Sequence, residues 1–363
     1  MNKALVAFAL LLASNVSAAS LDVARLPSPP SDLTALSAHV GGRVMADGQG
    51  GVIQQWPGVY VEAAFEGSEV YVRVGENHAI FHLRVDDADT ATLTSPEPGL
   101  YVVKGLAKGA HRVRMEVATE SQSGVNRFGG FWLAKGASAL PPPVRARQIE
   151  FIGDSHTVGY GNTLSRLSCT QDEIWASTDT TVAYGPLIAR HYDADYQVNA
   201  ISGRGVVRNY DGFAADTLPQ AYPFAVFDKS GKPADDAWNP AVVVMSLGTN
   251  DFSTPLHAGE KWTSREQLHE DVEATYVAFI QRLRQSHPKA MFILWSTDNV
   301  DGEVAAEARK VVAKLKALGE SRIAFVPVNG LAMSACDAHP SAADDAVIAG
   351  AIGHYIDANA VAW

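Results

Sequence analysis

From about residue 20 to residue 135 the chain alternates apolar and polar positions at period two. Val70-Tyr71-Val72-Arg73-Val74 and Phe81-His82-Leu83-Arg84-Val85 do so, and His111-Arg112-Val113-Arg114-Met115-Glu116-Val117 does so most cleanly. Gly58 to Phe65 is a further strand-like run. This period puts every second side chain on one buried face of a strand. Glu66-Gly67, Gly75-Glu76-Asn77, Asp86-Asp87, Pro98-Gly99 and Lys108-Gly109 punctuate the runs as turns. Many short strands at this spacing predict an all-β sandwich, jelly-roll-like in connection.

The pattern changes after Lys135-Gly136-Ala137-Ser138, where Pro141-Pro142-Pro143 reads as a stiff linker. Beyond it, short apolar runs alternate with longer amphipathic ones. Strands are expected over Gln148–Gly153, Tyr196–Ile201, Ala241–Leu247, Met291–Trp295 and Ile323–Val328. The third is apolar almost throughout, as a strand buried on both faces must be. Helices are expected over Asp179–His191, from Ser264 to just before Pro288, over Glu303–Leu318 and over Ser341–Asn359. Ser264 with Gln267 reads as a capping box, and Leu268, Val272, Tyr276, Phe279, Ile280 and Leu283 form the apolar stripe of that helix. Strands joined by crossover helices make a parallel sheet covered on both sides. The expected organisation is a signal peptide at 1–18, a β-sandwich at 19–140 and an α/β domain at 141–363.

The signal peptide rests on Met1-Asn2-Lys3, the apolar run Ala4–Ala13 and the small residues of Val16-Ser17-Ala18. A run of about 10 residues is half of what a membrane span needs, so the expectation is a secreted or periplasmic protein. The full chain has 363 residues, with Lys plus Arg 29 against Asp plus Glu 40 and a net charge of −11. This acidic balance argues against a nucleic-acid partner. Cys169 and Cys336 are too few for a disulfide scaffold or a Cys-only zinc site. In an exported protein the two read either as one disulfide or as separate buried thiols; both flank candidate catalytic segments, which favours the bridge.

In open parallel sheets, sites form beyond the carboxyl ends of the strands. Those ends carry Gly153-Asp154-Ser155, Ser202-Gly203-Arg204-Gly205 and Gly248-Thr249-Asn250-Asp251, and Asp337-Ala338-His339-Pro340 precedes the last helix. The set fits acyl transfer. A serine hydroxyl needs a base within hydrogen-bond reach, and Ser155 with His339 supplies both. Asp337 is the expected orienting acid of a triad. The N–H groups of Ser155 and Gly203 and the Asn250 amide are expected to hold the oxyanion. Tyr160, Trp238 and Trp295 are candidate sugar-stacking rings, while Asp154 and Arg208 read as structural. No metal or cofactor is expected, since His78 and His82 lack a third ligand at a metal-site spacing.

Taken together, Gly153-Asp154-Ser155, Gly203, Asn250 and His339 resemble the four blocks of the SGNH (GDSL-like) hydrolases. Gly159-Tyr160-Gly161-Asn162, Ala183 to Arg190, Ser202-Gly203 and Arg208-Asn209-Tyr210 look like carbohydrate esterase family 2. So do Trp56-Pro57-Gly58, Phe65-Glu66-Gly67, Gly109-Ala110-His111 and Gly129-Gly130-Phe131 in the first half. The resemblance implies a jelly-roll domain ahead of an SGNH domain, and metal-free removal of O-acetyl groups from polysaccharides such as xylan and glucomannan. The partner would then be an acetylated polysaccharide or oligosaccharide. Superfamily members usually show Asp-x-x-His, whereas Asp337-Ala338-His339 is one residue shorter. Either Asp337 or a backbone carbonyl then orients His339. Two other functions fit parts of the pattern: a lipase or thioesterase on longer acyl esters, and a carbohydrate-binding protein with an idle site.

Overall fold

The computed structural model describes residues 20–86, 89–232, 237–298, 302–359 and 361–363. The expected signal peptide at 1–18 lies outside them. In the first half, two antiparallel sheets face each other. One runs Asp22–Arg25, Gly99–Lys104, Val70–Val74, Asn126–Leu133, Val52–Gln54, Val44–Ala46, with Thr34–Leu36 also on Asn126–Leu133. The other runs Ser138–Leu140, Tyr60–Gly67, Gly109–Val117, Ile80–Val85, Asp89–Thr94, with His39–Gly41 also on Tyr60–Gly67. Their inward residues meet in one core that includes Phe65, Val72, Phe81, Leu83, Val113, Met115 and Phe131. The period-two alternation is thus the sandwich interior seen from the sequence.

The second half is a five-stranded parallel sheet in the order Ala194–Ala200, Arg147–Gly153, Val242–Ser246, Met291–Ser296, Ile323–Pro327. Alternate strand residues feed two layers. Ile152, Val243, Met245 and Leu294 pack under the helices Arg265–Ser286 and Glu303–Ala317. Phe151, Val244, Ile293 and Trp295 pack under Tyr184–His191 and Ala342–Ala358. Burial on both faces explains the unbroken apolar run at Val242–Ser246.

Local chemistry modifies two expectations. Ser264 caps its helix by accepting from the Gln267 N–H, but the Gln267 side chain reaches back to Thr263 rather than to Ser264, so the box is not closed. The expected helix Asp179–His191 is split: a single tight turn at Thr180–Val182 is separated from Tyr184–His191 by Ala183 in an extended conformation.

The β-sandwich lies along the edge strand Ala194–Ala200. There Tyr60 Oη donates to Asp195 at 2.6 Å, and the Arg145 guanidinium, just past the three prolines, bridges Glu62 and Asp195. Arg114 completes the cluster on Glu62 and stacks on the Tyr60 ring at 3.6 Å. His39, Glu62 and Asp195 bring three ligand-type atoms within 4.8 Å of one another. Two guanidiniums already neutralise those carboxylates, so this is an ion-pair cluster and a dication there would meet positive charge.

Candidate active site

The strand Arg147–Gly153 ends in a sharp turn into the short helix Ser155–Val158. Gly153 is required there, because a Cβ would come within 2.0 Å of Thr157 Oγ1. Asp154 caps the helix by accepting from the His156 N–H at 3.1 Å. The turn leaves the Ser155 hydroxyl 2.8 Å from His339 Nε2. His339 Nδ1 lies 3.0 Å from the Cys336 carbonyl and 3.2 Å from that of Asp337. Carbonyls only accept, so Nδ1 carries the proton and Nε2 turns its lone pair to the serine. Burial depresses the His339 pKa below the ordinary histidine value, outweighing the two carbonyl bonds that raise it. The imidazole is therefore a neutral base at neutral pH.

The Asp337 carboxylate does not take the expected place. It accepts from Tyr160 Oη at 3.3 Å, while only the Asp337 backbone oxygen reaches the imidazole. Asp337 and Ala338 both lie in the left-handed region, with φ of 53° and 56°. These two residues turn the shortened segment so that carbonyls, not the carboxylate, face Nδ1. Of the two orienting groups the sequence left open, the structure has the backbone carbonyl.

The loop before His339 is held at several points. A disulfide joins Cys169 to Cys336 with Cα atoms 5.5 Å apart, and the Asp337 N–H donates to the Leu167 carbonyl at 2.9 Å. Tyr160 packs on the imidazole with ring centroids 4.4 Å apart. His156 stands edge-on to the same ring at 5.4 Å and against Trp295 at 6.5 Å. Burial, and then the nearby His339 charge, push its pKa down to about 3, so it stays neutral.

Gly203 and Asn250 follow the ends of the two strands that flank Arg147–Gly153. Gly203 has φ of +80°, which favours glycine, and the Phe213 ring lies 3.2 Å from where its Cβ would stand. Asn250 Nδ2 donates to the Arg204 carbonyl at 2.9 Å and to Asp154 at 3.3 Å. Asp251 accepts from the N–H groups of Val206, Val207 and Arg208, each at 2.9 Å, and so shapes the turn that follows Gly203. Arg208 is structural: its guanidinium pairs with Glu260 and bonds Thr254 and Pro255.

Two of the three expected sugar-stacking rings are elsewhere. Trp295 is 1% exposed inside the sheet-helix core, edge-on to Tyr184, and has no free face. Trp238 precedes the strand Val242–Ser246, at the amino end of the sheet, with its indole N–H on Glu150. Tyr160 is at the site, though one face is on His339. The sequence reading missed Tyr210 and Phe213, which are 51% and 41% exposed and flank Gly203. It also missed Glu120 and Gln122, which reach the Gly203 loop from the β-sandwich. Aromatics shortly after a catalytic-type glycine were the available signal for the first pair; nothing in a polar loop that crosses between the two sheets marked the second.

Residues 40–143 match the carbohydrate esterase 2 N-terminal family, and residues 151–348 match the GDSL-like lipase/acylhydrolase family. An acetylxylan esterase / glucomannan deacetylase of Cellvibrio japonicus is 43% identical over 319 residues, spanning 86% of this chain and 89% of its own length. The cellulase/esterase CelE of Acetivibrio thermocellus is 30% identical over 67% of this chain and 29% of its own. Among solved structures, a carbohydrate esterase whose active site displays divergent catalytic and non-catalytic binding functions superposes with a TM-score of 0.85. It is 40% identical, covering 90% of this chain and 99% of the other. A family two carbohydrate esterase from Clostridium thermocellum, in complex with cellohexaose, superposes at 0.74 with 27% identity over 89% and 98% of the two chains. A carbohydrate esterase 2 N-terminal region ahead of a GDSL-like region accounts for most of this chain, and the chain belongs to the family 2 carbohydrate esterases, which hydrolyse carboxylic esters.

Proposed function

We propose that the protein is a secreted carbohydrate esterase that removes O-acetyl groups from polysaccharides such as xylan or glucomannan through a serine acyl-enzyme. The observation that carries this reading is the 2.8 Å contact of Ser155 Oγ with a neutral His339 whose Nδ1 is fixed by two carbonyls. Ser155 Oγ attacks the acetyl carbonyl as its proton passes to His339 Nε2. The oxyanion of the tetrahedral intermediate is held by the N–H groups of Ser155 and Gly203 and by the Asn250 amide. For that, Asn250 gives up its longer bond, the one to Asp154. The intermediate collapses as His339 protonates the departing sugar oxygen, leaving acetyl on Ser155. Water then gives its proton to His339 and attacks, releasing acetate and restoring the serine proton.

Tyr160 beside His339 and Phe213 beside Gly203 offer ring area to a pyranose. The Cellvibrio japonicus acetylxylan esterase / glucomannan deacetylase, 43% identical to this chain, supports acetylated xylan and glucomannan as substrates. No helix among the described residues is long and apolar enough to cross a membrane, and the Cys169–Cys336 bridge suits an oxidising compartment.

The test is acetate release from acetylated xylan and acetylated glucomannan, with aryl acetate and aryl octanoate as side assays. Ser155→Ala is expected to lose at least roughly 1,000-fold in kcat while melting within a few degrees of the parent. Full turnover by the variant overturns the nucleophile. Strong octanoate turnover with neither polymer deacetylated would make the enzyme a lipase or thioesterase, and polymer binding without any turnover would make it a binding protein.

A further inference from the structure

The loop between the strands Gly109–Val117 and Asn126–Leu133 leaves the β-sandwich and arrives at the carboxyl end of the parallel sheet. It is pinned on the way: Thr119 Oγ1 donates to the Trp175 carbonyl and Ser121 Oγ to the Gly124 carbonyl, both at 2.9 Å. Its next contacts are with one residue. The Ser202 N–H donates to Glu120 Oε1 at 2.8 Å, and the Ser202 carbonyl accepts from Gln122 Nε2 at 3.1 Å. The Gln122 amide also donates to Glu120 Oε1 at 3.3 Å, which closes a three-member network. Both backbone groups of Ser202 are thus taken by side chains from the other domain.

Ser202 immediately precedes Gly203. The Ser202 carbonyl and the Gly203 N–H belong to one planar trans peptide and point in opposite directions. Whatever fixes that carbonyl aims that N–H. A donor on the carbonyl also polarises the peptide, which makes the N–H a better donor on its far side. Gly203 has no side chain to set its own orientation, and at φ of +80° its preceding peptide is free to rotate unless held. On the other side the Gly203 carbonyl accepts from the Tyr210 N–H at 2.9 Å, so the peptides on both sides of Gly203 are fixed.

We infer that Gln122 and Glu120 are positioning residues for ester hydrolysis: they lock the Ser202–Gly203 peptide so that its N–H meets the oxyanion, which makes the β-sandwich a working wall of the active site. This rests on the esterase reading above. It assigns the first domain a part in transition-state stabilisation, independent of whether that domain binds sugar. An interaction that aims an oxyanion donor acts when negative charge develops, so its loss should fall on kcat and leave KM in place.

The experiment is steady-state acetate release by the full-length chain carrying Gln122→Ala, Gln122→Lys or Glu120→Gln, with melting temperatures measured in parallel. Gln122→Ala removes the donor to the Ser202 carbonyl; kcat is expected to fall roughly 10-fold with KM within about twofold, because a misaimed donor costs less than a deleted one. Gln122→Lys keeps a donor of similar reach and should hold kcat within about threefold of the parent. Glu120→Gln keeps the shape but replaces a carboxylate acceptor for the Ser202 N–H by a weaker amide oxygen, and covers the case in which Gln122→Ala is poorly folded; a loss of roughly threefold in kcat is expected, with KM in place. Unchanged kcat in both Gln122→Ala and Glu120→Gln overturns the inference. So does a rise in KM alone, which would make Gln122 a substrate contact, and so does a loss of kcat that tracks melting and is not restored by Lys. If the parent itself shows no Ser155-dependent acetate release, the esterase reading is what fails.

Discussion

Buried carboxylates sit at both ends of the parallel sheet, and the two ends treat them differently. At the amino end, where the β-sandwich lies against the edge strand, guanidiniums answer them: Arg114 and Arg145 on Glu62, Arg145 on Asp195, Arg84 and Arg114 on Glu116. Burial raises the pKa of Asp195 and Glu116, but hydrogen bonds from His39 and Tyr60 in one case and the arginine charges in the other bring both below the usual carboxylate range. At the carboxyl end Asp154 and Asp251 are both 0% exposed, and among the described residues they accept from backbone N–H groups, an amide and the Thr249 hydroxyl, with no guanidinium bonded to either carboxylate. Burial wins there and pushes Asp154 up to about 7 and Asp251 up to about 6. Cations neutralise charge and fasten two domains together. N–H donors shape a loop without neutralising the carboxylate that shapes it, so charge beside the nucleophile stays titratable near neutrality.

The amino end is the easier to break. Glu62→Gln leaves two guanidiniums facing a neutral amide, and removing one partner of a buried ion cluster is expected to cost about 3 kcal/mol. Urea unfolding at pH 7 measures it. The same variant, assayed while folded, should keep kcat, since the cluster lies at the far end of the sheet from Ser155. If stability is unchanged, the cluster is not what joins the domains and the contrast between the two ends loses its first half.

Asp154→Asn sharpens the other half. The folded pKa of about 7 lies above the unfolded 3.8, so the folded state binds the extra proton between those values and loses stability as pH rises through them. Asparagine does not titrate. Relative to the parent, the variant should therefore gain stability between pH 4 and pH 8, by up to about 4 kcal/mol if nothing else changes. Its amide meets the Asn250 amide head-on, which lowers the whole curve but adds no slope. Parallel curves for parent and variant over that range would mean that Asp154 is ionised like an ordinary carboxylate.

Much of this architecture was legible in the sequence because it rests on periodicity. The runs at Val70–Val74 and Gly109–Val117 reported a half-buried sandwich, and the unbroken apolar run at Val242–Ser246 reported a strand covered on both faces. Ser155, Gly203 and Asn250 were expected from turn chemistry after a strand end and His339 from its place before the last helix, and the structure brings Ser155 and His339 into contact. Three things left no mark of this kind in the sequence. Trp295 looked like a surface ring because composition does not say which face of a strand an indole takes; it is a core residue. Glu120 and Gln122 act across a domain boundary, about 80 positions from Ser202 in the chain. And the identity of the group on His339 depended on backbone torsions at Asp337 and Ala338, which residue type alone does not set.

That last point gives the smallest predicted effect and the sharpest one. In a serine triad, replacing the orienting carboxylate costs about 10,000-fold in kcat, because the imidazole adopts the wrong tautomer. Here the tautomer is set by the carbonyls of Cys336 and Asp337, which a side-chain change does not remove. Asp337→Asn should therefore lower kcat by no more than about threefold, with the loss traced to the Tyr160 contact. The Asp337 charge also raises the His339 pKa, as the least of the influences on it. Without that charge the imidazole deprotonates at slightly lower pH, so the acid limb of the kcat/KM profile should move toward lower pH. A triad carboxylate would give the same direction with a collapse in rate. A small rate change with the acid limb displaced downward identifies a dyad oriented by backbone; a loss of about 1,000-fold or more would return Asp337 to the role its spacing in the sequence suggested.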